Sequence, residues 1–379
     1  MRAVRVLITA ASLASIGGVQ VCVRELAAWL LSQGHTPLVY GPDHGRAAAQ
    51  LARLTIPVTD DLTTLGAPPD VIHGNSSVET ATALLHFPRT PAIYVCHAWR
   101  GDLDAPRFPR VLRYLAVDDT CADRLLYREG IAAEKVEVVL NAADLDRFPP
   151  REHPLPPKPR RALIFGNAAH AASHASVIQK ACARAGIDVD VAGELSGRAL
   201  DEPERILRDY DLIFAKAKCA IEGMASGAAV VVCDVAGVAG MVTSGNVARL
   251  RRLNFGIRSL DRPVTLETIA EEIAAYDAAD AARVAALIRE TASTAALHER
   301  LMALYETVIA EFEAGAGKAS WEEESRAAAE YLRYAHTATK SSLSNLNVVV
   351  QAAHRVMSAP VVGPALTRVS RWLTRRGRT

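Results

Sequence analysis

The residues best placed to do chemistry in this sequence are two lysines and a glutamate, Lys216, Lys218 and Glu222. They surround the start of a predicted helix at 217–226. A helix N-terminus offers unpaired N–H groups and partial positive charge, so it favours a phosphate, and the lysines would add two full charges. Helical side chains lean toward the N-terminus, so the Glu222 carboxylate would face the same ligand and could accept hydrogen bonds from sugar hydroxyls. The junction predicts a site for a nucleotide diphosphate; the alternative is that Glu222 only complements the helix dipole and the lysines are solvated.

The elements around this junction follow from the pattern of apolar residues. Apolar runs at 212–215 and 229–233 predict two strands, and the helix formers between them end at Gly227, which suits the position after a helix. Strand, helix and strand in this order are typical of a parallel sheet covered by helices.

A second candidate site lies near the N-terminus, where Gly17 and Gly18 precede a predicted helix at 19–32. Adjacent glycines let a ligand approach the backbone closely, although such pairs also occur in plain turns. His97 directly follows a predicted strand, at the strand end where such folds keep functional groups. A neutral imidazole there could bind a sugar hydroxyl or assist a proton transfer, or it could simply be satisfied by local backbone. His73 is a weaker candidate of the same kind.

A histidine pair in the second half raises the question of a metal. His170 and His174 are four residues apart, which would place two metal ligands on one helical face. The intervening residues contain no acid of a zincin motif and no third ligand is apparent, so the sequence favours no metal. We expect this loop, which follows Gly166 and Asn167, to contact a phosphate or to begin a helix.

The composition is that of an ordinary globular protein. The chain has 379 residues, 50% of them hydrophobic and 22% charged, and can form two domains with separate cores. With 43 basic and 42 acidic residues it has a net charge of +1, so no overall field would attract nucleic acid. The six cysteines are scattered without a C-x-x-C pair, which predicts reduced thiols in a cytoplasmic protein. The first apolar run contains Arg5 and predicts a strand rather than a signal peptide, and none approaches the roughly 18 apolar residues that span a bilayer.

Two α/β domains are predicted on either side of a proline-rich linker. Short β-rich runs alternate with helical patterns, stop at a stretch with six prolines at 148–161, and then resume. We therefore predict an N-terminal domain at 1–150, a second domain at 160–315, and a helical and basic extension at 316–379. Two such Rossmann-like domains would enclose a cleft at the carboxyl ends of their strands.

The C-terminal segment differs from the rest of the chain in its charge. After Glu330 it has eight basic residues and no acidic one, and apolar residues such as Trp372 are interleaved with them over 348–376. A basic amphipathic segment fits an anionic membrane surface. The alternative is a solvated tail or a helix packed on the protein body.

Several enzyme classes lack their motifs here. The glycines at 17–18 do not form G-x-G-x-x-G, and the second strand closes at 39–42 without the acid that binds a dinucleotide ribose. These features argue against a nicotinamide dehydrogenase. The chain also shows no G-x-S-x-G elbow and no P-loop, so hydrolase and NTPase functions lack support.

Taken in order, the motifs resemble the GT-B glycosyltransferases, specifically the large retaining family 4 that uses nucleotide sugars. The resemblance runs from Val4 to about Phe312. SIGGVQVCVRELAAWLLSQGHTPLVYGP resembles the family's Gly-Gly loop, long helix and second strand, and VEVVLNAADLDRF resembles V-I-P-N-G-V-D-x-x-R-F between the domains. IEGMASGAAVVVCDVAG resembles L-E-A-M-A-x-G-x-P-V-V-A-x-D-x-G-G, and ALYETV resembles the helix that ends the second domain.

The resemblance implies roles for the candidate residues. Gly17 and Gly18 would approach the donor diphosphate and sugar, His97 would match the cleft histidine, and Glu222 would hold the ribose hydroxyls. Lys216 and Lys218 would stabilise the departing diphosphate, which makes them catalytic residues together with His97. The remaining predicted donor-binding residues are Gly166, Asn167, His170, Gly193 and Cys219.

Two departures from the family pattern concern the donor pocket. The family usually carries two glutamates separated by seven residues, but Phe214 occupies the counted position of the first one, which faces the donor sugar. The cations of G-R-x-x-x-x-K-G are also missing, since the chain reads Gly-Asn-Ala-Ala-His at 166–170. Neutralisation of the diphosphate would be left to Lys216, Lys218 and His170.

The resemblance implies a retaining, metal-independent glycosyltransferase that moves a sugar from a UDP or GDP donor to a saccharide or lipid-linked saccharide. It implies no cofactor, because the nucleotide sugar is a substrate. The expected partners are the donor, the acceptor and, through the tail, an anionic membrane surface on the cytoplasmic side, as suits polysaccharide biosynthesis; nucleic acid is not expected. Two alternatives stay open: a non-catalytic GT-B module that binds a glycan or a protein partner, and a sugar-nucleotide epimerase.

Overall fold

Two β-sheets organise the computed structural model of this protein. The structure describes residues 2–358 except 101–102, 171–172 and 199. The chain divides into two compact units between Ala319 and Ser320, and both sheets belong to the first unit.

The first sheet is entirely parallel. Its strands are β1 (Arg5–Thr9), β2 (Thr36–Tyr40), β3 (Val58–Thr59), β4 (Val71–Gly74), β5 (Ala92–Cys96), β6 (Val111–Ala116) and β7 (Val136–Val138). They lie in the order β3-β2-β1-β4-β5-β6-β7. The helices of this half are α1 (Gly18–Ser32), α2 (Arg46–Arg53), α3 (Ser77–His86) and α4 (Asp119–Asp123), which continues into a π turn at Arg124–Arg128.

The second sheet is parallel except at one edge. Its strands are β8 (Arg161–Phe165), β9 (Asp188–Ala192), β10 (Leu212–Ala215), β11 (Ala229–Asp234) and β12 (Gly237–Met241), in the order β12-β11-β10-β8-β9. Strand β12 runs antiparallel to β11. The helices that follow β8 are α5 (Ala175–Ala185), α6 (Ala217–Ala225), α7 (Val247–Arg252), α8 (Leu266–Ala274), α9 (Ala278–Thr291) and α10 (Thr294–Glu313).

These two sheets confirm the predicted α/β class and the Rossmann-like halves. In both, strands and helices alternate along the chain, so the central strands are covered on both faces and have continuous apolar sequences. Single 3₁₀ turns complete the loops, at Leu62–Thr64, Ala133–Lys135, Glu194–Ser196, Pro203–Arg205, Leu207–Asp209 and Ile257–Ser259.

Strand β10 shows how the second sheet builds its core. Ile213 and Ala215 pack on the face that carries α6, whereas Leu212 and Phe214 pack on the face that carries α5. Phe214 is only 1% exposed. Phe214, the position counted for the family's first glutamate, therefore lies in the hydrophobic core of the second sheet. An unpaired carboxylate would be strongly unfavourable there.

Helix α10 packs on the first domain, although its sequence position lies within the predicted second domain at 160–315. The hydroxyl oxygen of Tyr305 in α10 lies 2.6 Å from Nδ1 of His73 in β4. The ring centroid of His298, also in α10, lies 5.6 Å from that of Trp29 in α1. Helix α10 thus contacts elements of the first sheet's half of the chain.

The second unit contains one long helix, α11 (Trp321–Ser358). It lies within the predicted helical and basic extension at 316–379. The part of the predicted membrane-binding segment from 359 to 376 lies outside the described residues. Among the helices described for the chain, none combines the length and apolar character that a membrane span requires.

Candidate functional site

A cleft of about 480 Å³ separates the carboxyl ends of the two sheets. Nearly every strand that reaches it contributes a residue at or just after its last position. From the first domain His97 is such a residue, and from the second domain Gly166, Gly193, Lys216 and Asp234 are. Gly17 and Gly18 reach the cleft from the end of the loop between β1 and α1. Parallel strands bring their carboxyl ends to one edge, and this is why residues from distant parts of the sequence meet here.

The first-domain wall of the cleft is the N-terminus of α1. Gly17 is the N-cap, and its N–H donates to Oε1 of Gln20 at 3.1 Å. A Cβ atom added to Gly18 would meet no atom within 4 Å, so the space beside this backbone is open. The first turn of α1 contains no acidic residue, so its partial positive charge is uncompensated on the cleft side.

The opposite wall is formed by the loops after β8 and β9. Gly193 has a φ of 156°, and a Cβ atom there would lie 2.0 Å from the carbonyl oxygen of Gly166, so no other residue fits. The Nδ2 group of Asn167 donates to the carbonyl oxygen of Ile16 at 3.1 Å. This bond joins the predicted donor-binding loop to the Gly-Gly loop of the other domain.

Lys216 faces the cleft as predicted, at the N-cap of α6. Its side chain is 43% exposed and forms an ion pair with Asp234 at the end of β11. The next residue, Ala217, has a φ of 49°, a left-handed conformation that a non-glycine residue rarely adopts. The backbone therefore turns sharply where the helix begins, and Lys216 stays at the cleft surface.

Lys218 has a different position, which corrects its predicted role as a cation facing the diphosphate. Its side chain is 9% exposed, and Nζ donates to Oε2 of Glu25 and to the carbonyl oxygen of Ala142, both at 2.9 Å. Nζ also lies 3.9 Å from Oε1 of Glu222. Burial alone would lower the pKa of Lys218, but Cys22 and the two carboxylates raise it above its ordinary value. Lys218 lines the edge of the cleft, but its ammonium group forms a buried ion pair with Glu25 of the other domain.

Glu222 lines the cleft and is buried. Burial raises the pKa of its carboxyl to about 7; Lys218 lowers it and Glu25 raises it further. The carboxyl is therefore close to half-protonated at neutral pH, and a ligand that donates hydrogen bonds would favour the ionised form. Cys219, one turn earlier, also lines the cleft as predicted, and burial raises the pKa of its thiol.

His97 lines the cleft in its neutral form. Its Nε2 lies 2.7 Å from Oδ1 of Asn75, whose Nδ2 donates to the carbonyl oxygen of Thr9 at 3.1 Å. This second bond identifies Oδ1 as the acceptor, so Nε2 of His97 carries the proton and Nδ1 is the acceptor nitrogen. Burial lowers the pKa of His97 to about 4. The imidazole can accept a hydrogen bond from a hydroxyl at neutral pH.

The other candidate histidines do not serve the cleft as expected. His73 is buried, bonds to Tyr305, and has its pKa lowered to about 3 by burial, so it acts in packing. His170 does not line the cleft, whereas His174 does. Within the described residues, no group of three or more His, Cys, Asp or Glu side chains could hold a metal ion.

Three arginines that we did not single out from the sequence also line the cleft. Arg46, at the start of α2, pairs with Asp201 at 2.5 Å, and Arg147 pairs with Glu204 at 2.7 Å. Arg24 lies on α1. A pair such as Arg46 and Asp201 leaves no signal in the sequence, because 155 positions separate the partners.

A second, smaller cavity of about 50 Å³ lies behind the cleft; we call it the inner cavity. Cys22, His97, Asn141 and Lys218 line both spaces and form the wall between them. The remaining lining is mostly apolar but includes Glu25, His73, Asn75, Thr294 and His298. Glu25, His73 and His298 are thus buried ionisable groups on the inner side of the wall.

Comparison with known proteins agrees with this architecture. The model of the family described as "Glycosyltransferase Family 4" matches residues 16–147. No curated protein sequence matches the chain. Among solved structures, a glycosyltransferase from Rickettsia africae is 14% identical, with 80% of this chain and 98% of that chain covered and a TM-score of 0.59.

Two further structures share the fold. Anabaena HepE, solved in complex with UDP and glucose, is 15% identical, with 80% of this chain and 99% of that chain covered and a TM-score of 0.58. A Listeria monocytogenes protein, proposed to be a UDP-N-acetylglucosamine 2-epimerase, is 12% identical, with 84% and 100% covered and a TM-score of 0.50. The chain thus has the GT-B fold seen in these glycosyltransferase structures, and its residues 16–147 match the model of glycosyltransferase family 4.

Proposed function

We propose that this protein is a retaining glycosyltransferase that uses a nucleotide-sugar donor, UDP-linked or GDP-linked, and a saccharide or lipid-linked saccharide acceptor. The observation that carries the proposal is the convergence of Gly17, Gly18, His97, Lys216 and Glu222 from two domains on one cleft. The volume of the cleft, about 480 Å³, suits a ligand of nucleotide-sugar size. The complex of Anabaena HepE with UDP and glucose supports UDP as the first donor nucleotide to test.

The donor nucleotide would bind mainly to the second domain. The Glu222 carboxylate would accept hydrogen bonds from the ribose hydroxyls, and the loops of Gly166 and Gly193 would admit the nucleotide close to the backbone. The diphosphate would lie between the N-termini of α1 and α6, with Lys216 beside it. As the bond to the sugar breaks, negative charge grows on the diphosphate, and a fixed cation stabilises it.

The sugar and the acceptor would meet beside His97. Its Nδ1 can accept a hydrogen bond from a sugar hydroxyl and fix the orientation of the sugar ring. The acceptor hydroxyl would attack the anomeric carbon from the side on which the diphosphate leaves, so the anomeric configuration is retained. The departing phosphate oxygen would take the acceptor proton, and this mechanism requires neither a metal nor a carboxylate nucleophile.

The decisive test combines a binding and a transfer measurement on four variants. Glu222→Gln should weaken binding of UDP or GDP about tenfold in calorimetry, because a neutral amide accepts hydrogen bonds less strongly than a carboxylate. Lys216→Met should lower kcat about 100-fold, on the scale of removing one group that stabilises transition-state charge. The controls are Glu290→Gln on α9 and Lys180→Met on α5, two exposed positions of the second domain that do not line the cleft. Wild-type values for both cleft variants would refute the assignment.

Two alternatives give different results in the same experiments. A sugar-nucleotide epimerase, to which the Listeria protein points, would convert the donor without any acceptor, and product analysis by mass spectrometry would show it. A non-catalytic module would bind neither UDP nor GDP at millimolar concentration.

A lipid-linked acceptor would bring the enzyme to the cytoplasmic leaflet, where the basic C-terminal segment could bind anionic lipid. Co-sedimentation with anionic liposomes should decrease when the residues after Thr339 are removed. Equal partitioning of the full and the shortened chain would contradict this part of the proposal.

A further inference from the structure

The charge balance of the cleft singles out one arginine. Five lysine and arginine side chains line it: Arg24, Arg46, Arg147, Lys216 and Lys218. Four of them form ion pairs with carboxylates, which are Asp201, Glu204, Asp234 and Glu25 in the same order. Arg24 forms no such pair within the part of the chain that the structure describes. Among the described residues, Arg24 is therefore the cation of the cleft that has no carboxylate within ion-pair distance, although Glu25, Glu204 and Glu222 act on it from farther away.

The surroundings of Arg24 desolvate its guanidinium and place a second cation, Arg147, near it. The side chain is partly buried, and its one hydrogen bond within the described residues goes to a neutral group, from NH1 to Oε1 of Gln50 at 2.9 Å. Burial lowers the pKa of Arg24 and the like charge of Arg147 lowers it further, whereas Glu25, Glu204 and Glu222 oppose this shift without reversing it. A partly desolvated guanidinium beside a second one is stabilised when an anion binds between or beside them.

The position of Arg24 on α1 directs it toward the end of the helix that would hold a phosphate. Gly17, Val21 and Arg24 follow the spacing i, i+4, i+7, which places them on one helical face, and all three line the cleft. At about 1.5 Å per residue, the Cα atom of Arg24 lies roughly 9 Å along the axis from Gly18. Helical side chains lean toward the N-terminus, so the long side chain of Arg24 shortens this distance.

We propose that Arg24 binds the diphosphate of the donor and is the first domain's cation for that group. This inference rests on the proposed function and extends it. A guanidinium can donate two parallel hydrogen bonds to a phosphate, so Arg24 would clamp the diphosphate against Lys216 of the opposite domain. Arg24 would supply positive charge beside the diphosphate. The loop at 166–170 lacks the family's cations, and Lys218 is paired with Glu25.

The experiment compares ligands with and without phosphates. UDP and GDP are titrated by calorimetry, and uridine and guanosine by ligand-observed NMR, on wild type, Arg24→Gln, Arg24→Lys and the control Arg53→Gln, an exposed position on α2. We expect Arg24→Gln to lower the affinity for UDP or GDP, whichever wild type binds, by 10- to 100-fold. The affinity for the matching nucleoside should stay within twofold of the wild-type value. Arg24→Lys should lie between the two, since it keeps the charge but loses the paired hydrogen bonds, and Arg53→Gln should match wild type.

The remaining outcomes separate this inference from the proposed function. An unchanged diphosphate affinity in Arg24→Gln, or an equal loss for nucleoside and diphosphate, would overturn the role of Arg24 while Glu222→Gln still reports on the donor site. If wild type binds neither UDP nor GDP, the proposed function fails and the role of Arg24 fails with it. Circular dichroism of Arg24→Gln identifies a folding defect, and in that case the Arg24→Lys series decides alone.

Discussion

The cleft and the inner cavity share a wall, but the lysines beside them differ in their exposure to solvent. In the cleft, Lys216 is 43% exposed, and its partner Asp234 lines the cleft at the end of β11 with a side chain that is 8% exposed. Behind the wall, Lys218 is 9% exposed and is held between Glu25 and Glu222. Solvent screens the outer groups and leaves them available to a ligand, whereas the inner groups depend on one another. The comparison separates the proposed donor-binding residue Lys216 from Lys218, whose contacts join the two domains.

Lys216 and Lys218, at the start of α6, have these two different environments. Lys216 is the N-cap of α6 and has extended backbone, and the left-handed φ of Ala217 turns the chain before Lys218 enters the helix. Lys216 caps α6 and stays at the surface, while Lys218 enters the interior toward α1. Lysines at this spacing therefore do not act on the same ligand.

The largest effect that we expect comes from removing the inner cation. Lys218→Met should lower the free energy of unfolding by about 3–5 kcal/mol, because Glu25 loses its partner in a site that excludes water. Urea denaturation measures this loss. In the double variant Glu25→Gln with Lys218→Met, much of the stability should return, since the buried charge is removed together with its partner. A loss below about 1 kcal/mol in the single variant would show that the pair is not buried in solution.

The histidines of the inner cavity give the next largest effect, and it depends on pH. The pKa of His298 is lowered to about 4, mainly by burial and also by Lys218, while Asp144 opposes the shift. The unfolded chain takes up this proton near pH 6.5, so between pH 6.5 and 4 it binds more protons than the folded chain. The free energy of unfolding should therefore fall as the pH falls through this range, by up to about 3 kcal/mol from His298.

A matched pair of variants isolates this contribution. His298→Gln should flatten the acid side of the stability profile, while His153→Gln, an exposed position in the linker, should leave it unchanged. Urea denaturation at a series of pH values gives both curves. Parallel profiles for wild type and His298→Gln would mean that the ring is solvated.

The cleft was largely predictable from the sequence, for a physical reason. Strands such as β2, β5 and β10 have apolar runs that end sharply at polar residues or glycine, so their bounds are clear. Functional groups that follow those ends, including His97 and Glu222, could therefore be assigned to one edge of a sheet from the sequence alone. Strand β12 was missed because it contains Gly237 and Gly240, both with positive φ, in an edge position.

The inner cavity could not be predicted in the same way. Its central ion pair joins Glu25 and Lys218, which are 193 positions apart in the sequence. The hydrogen bond between His73 and Tyr305 joins residues that are 232 positions apart. Neither contact follows a local period, since both depend on how the two domains close and on where α10 returns. Sequence patterns determine what lies at a strand end, but not which buried side chain on another domain will meet it.

A third effect, on ligand affinity, tests whether Glu222 belongs to both regions. The pKa of its carboxyl is about 7, because burial and the nearby Glu25 raise it more than Lys218, Arg147 and Arg24 lower it. If the ribose binds the carboxylate, the affinity for UDP or GDP should rise as the pH rises, by about tenfold between pH 6 and 8. The ligand's own phosphate also titrates near pH 6, so the comparison is with Glu222→Gln, in which only that part of the rise remains. Identical pH profiles would exclude Glu222 from ribose binding.

The smallest effect should come from the ion pair at the cleft rim between Arg46 and Asp201. Their atoms are 2.5 Å apart, closer than the 2.9 Å between Lys218 and Glu25, yet the side chains are 44% and 58% exposed. Solvent and salt screen such a pair, so Asp201→Asn should change the free energy of unfolding by less than about 1 kcal/mol, and 1 M NaCl should remove most of that difference. Urea denaturation at low and high salt measures both quantities. A loss comparable with that of Lys218→Met would mean that contact distance, and not burial, decides the strength of ion pairs between these domains.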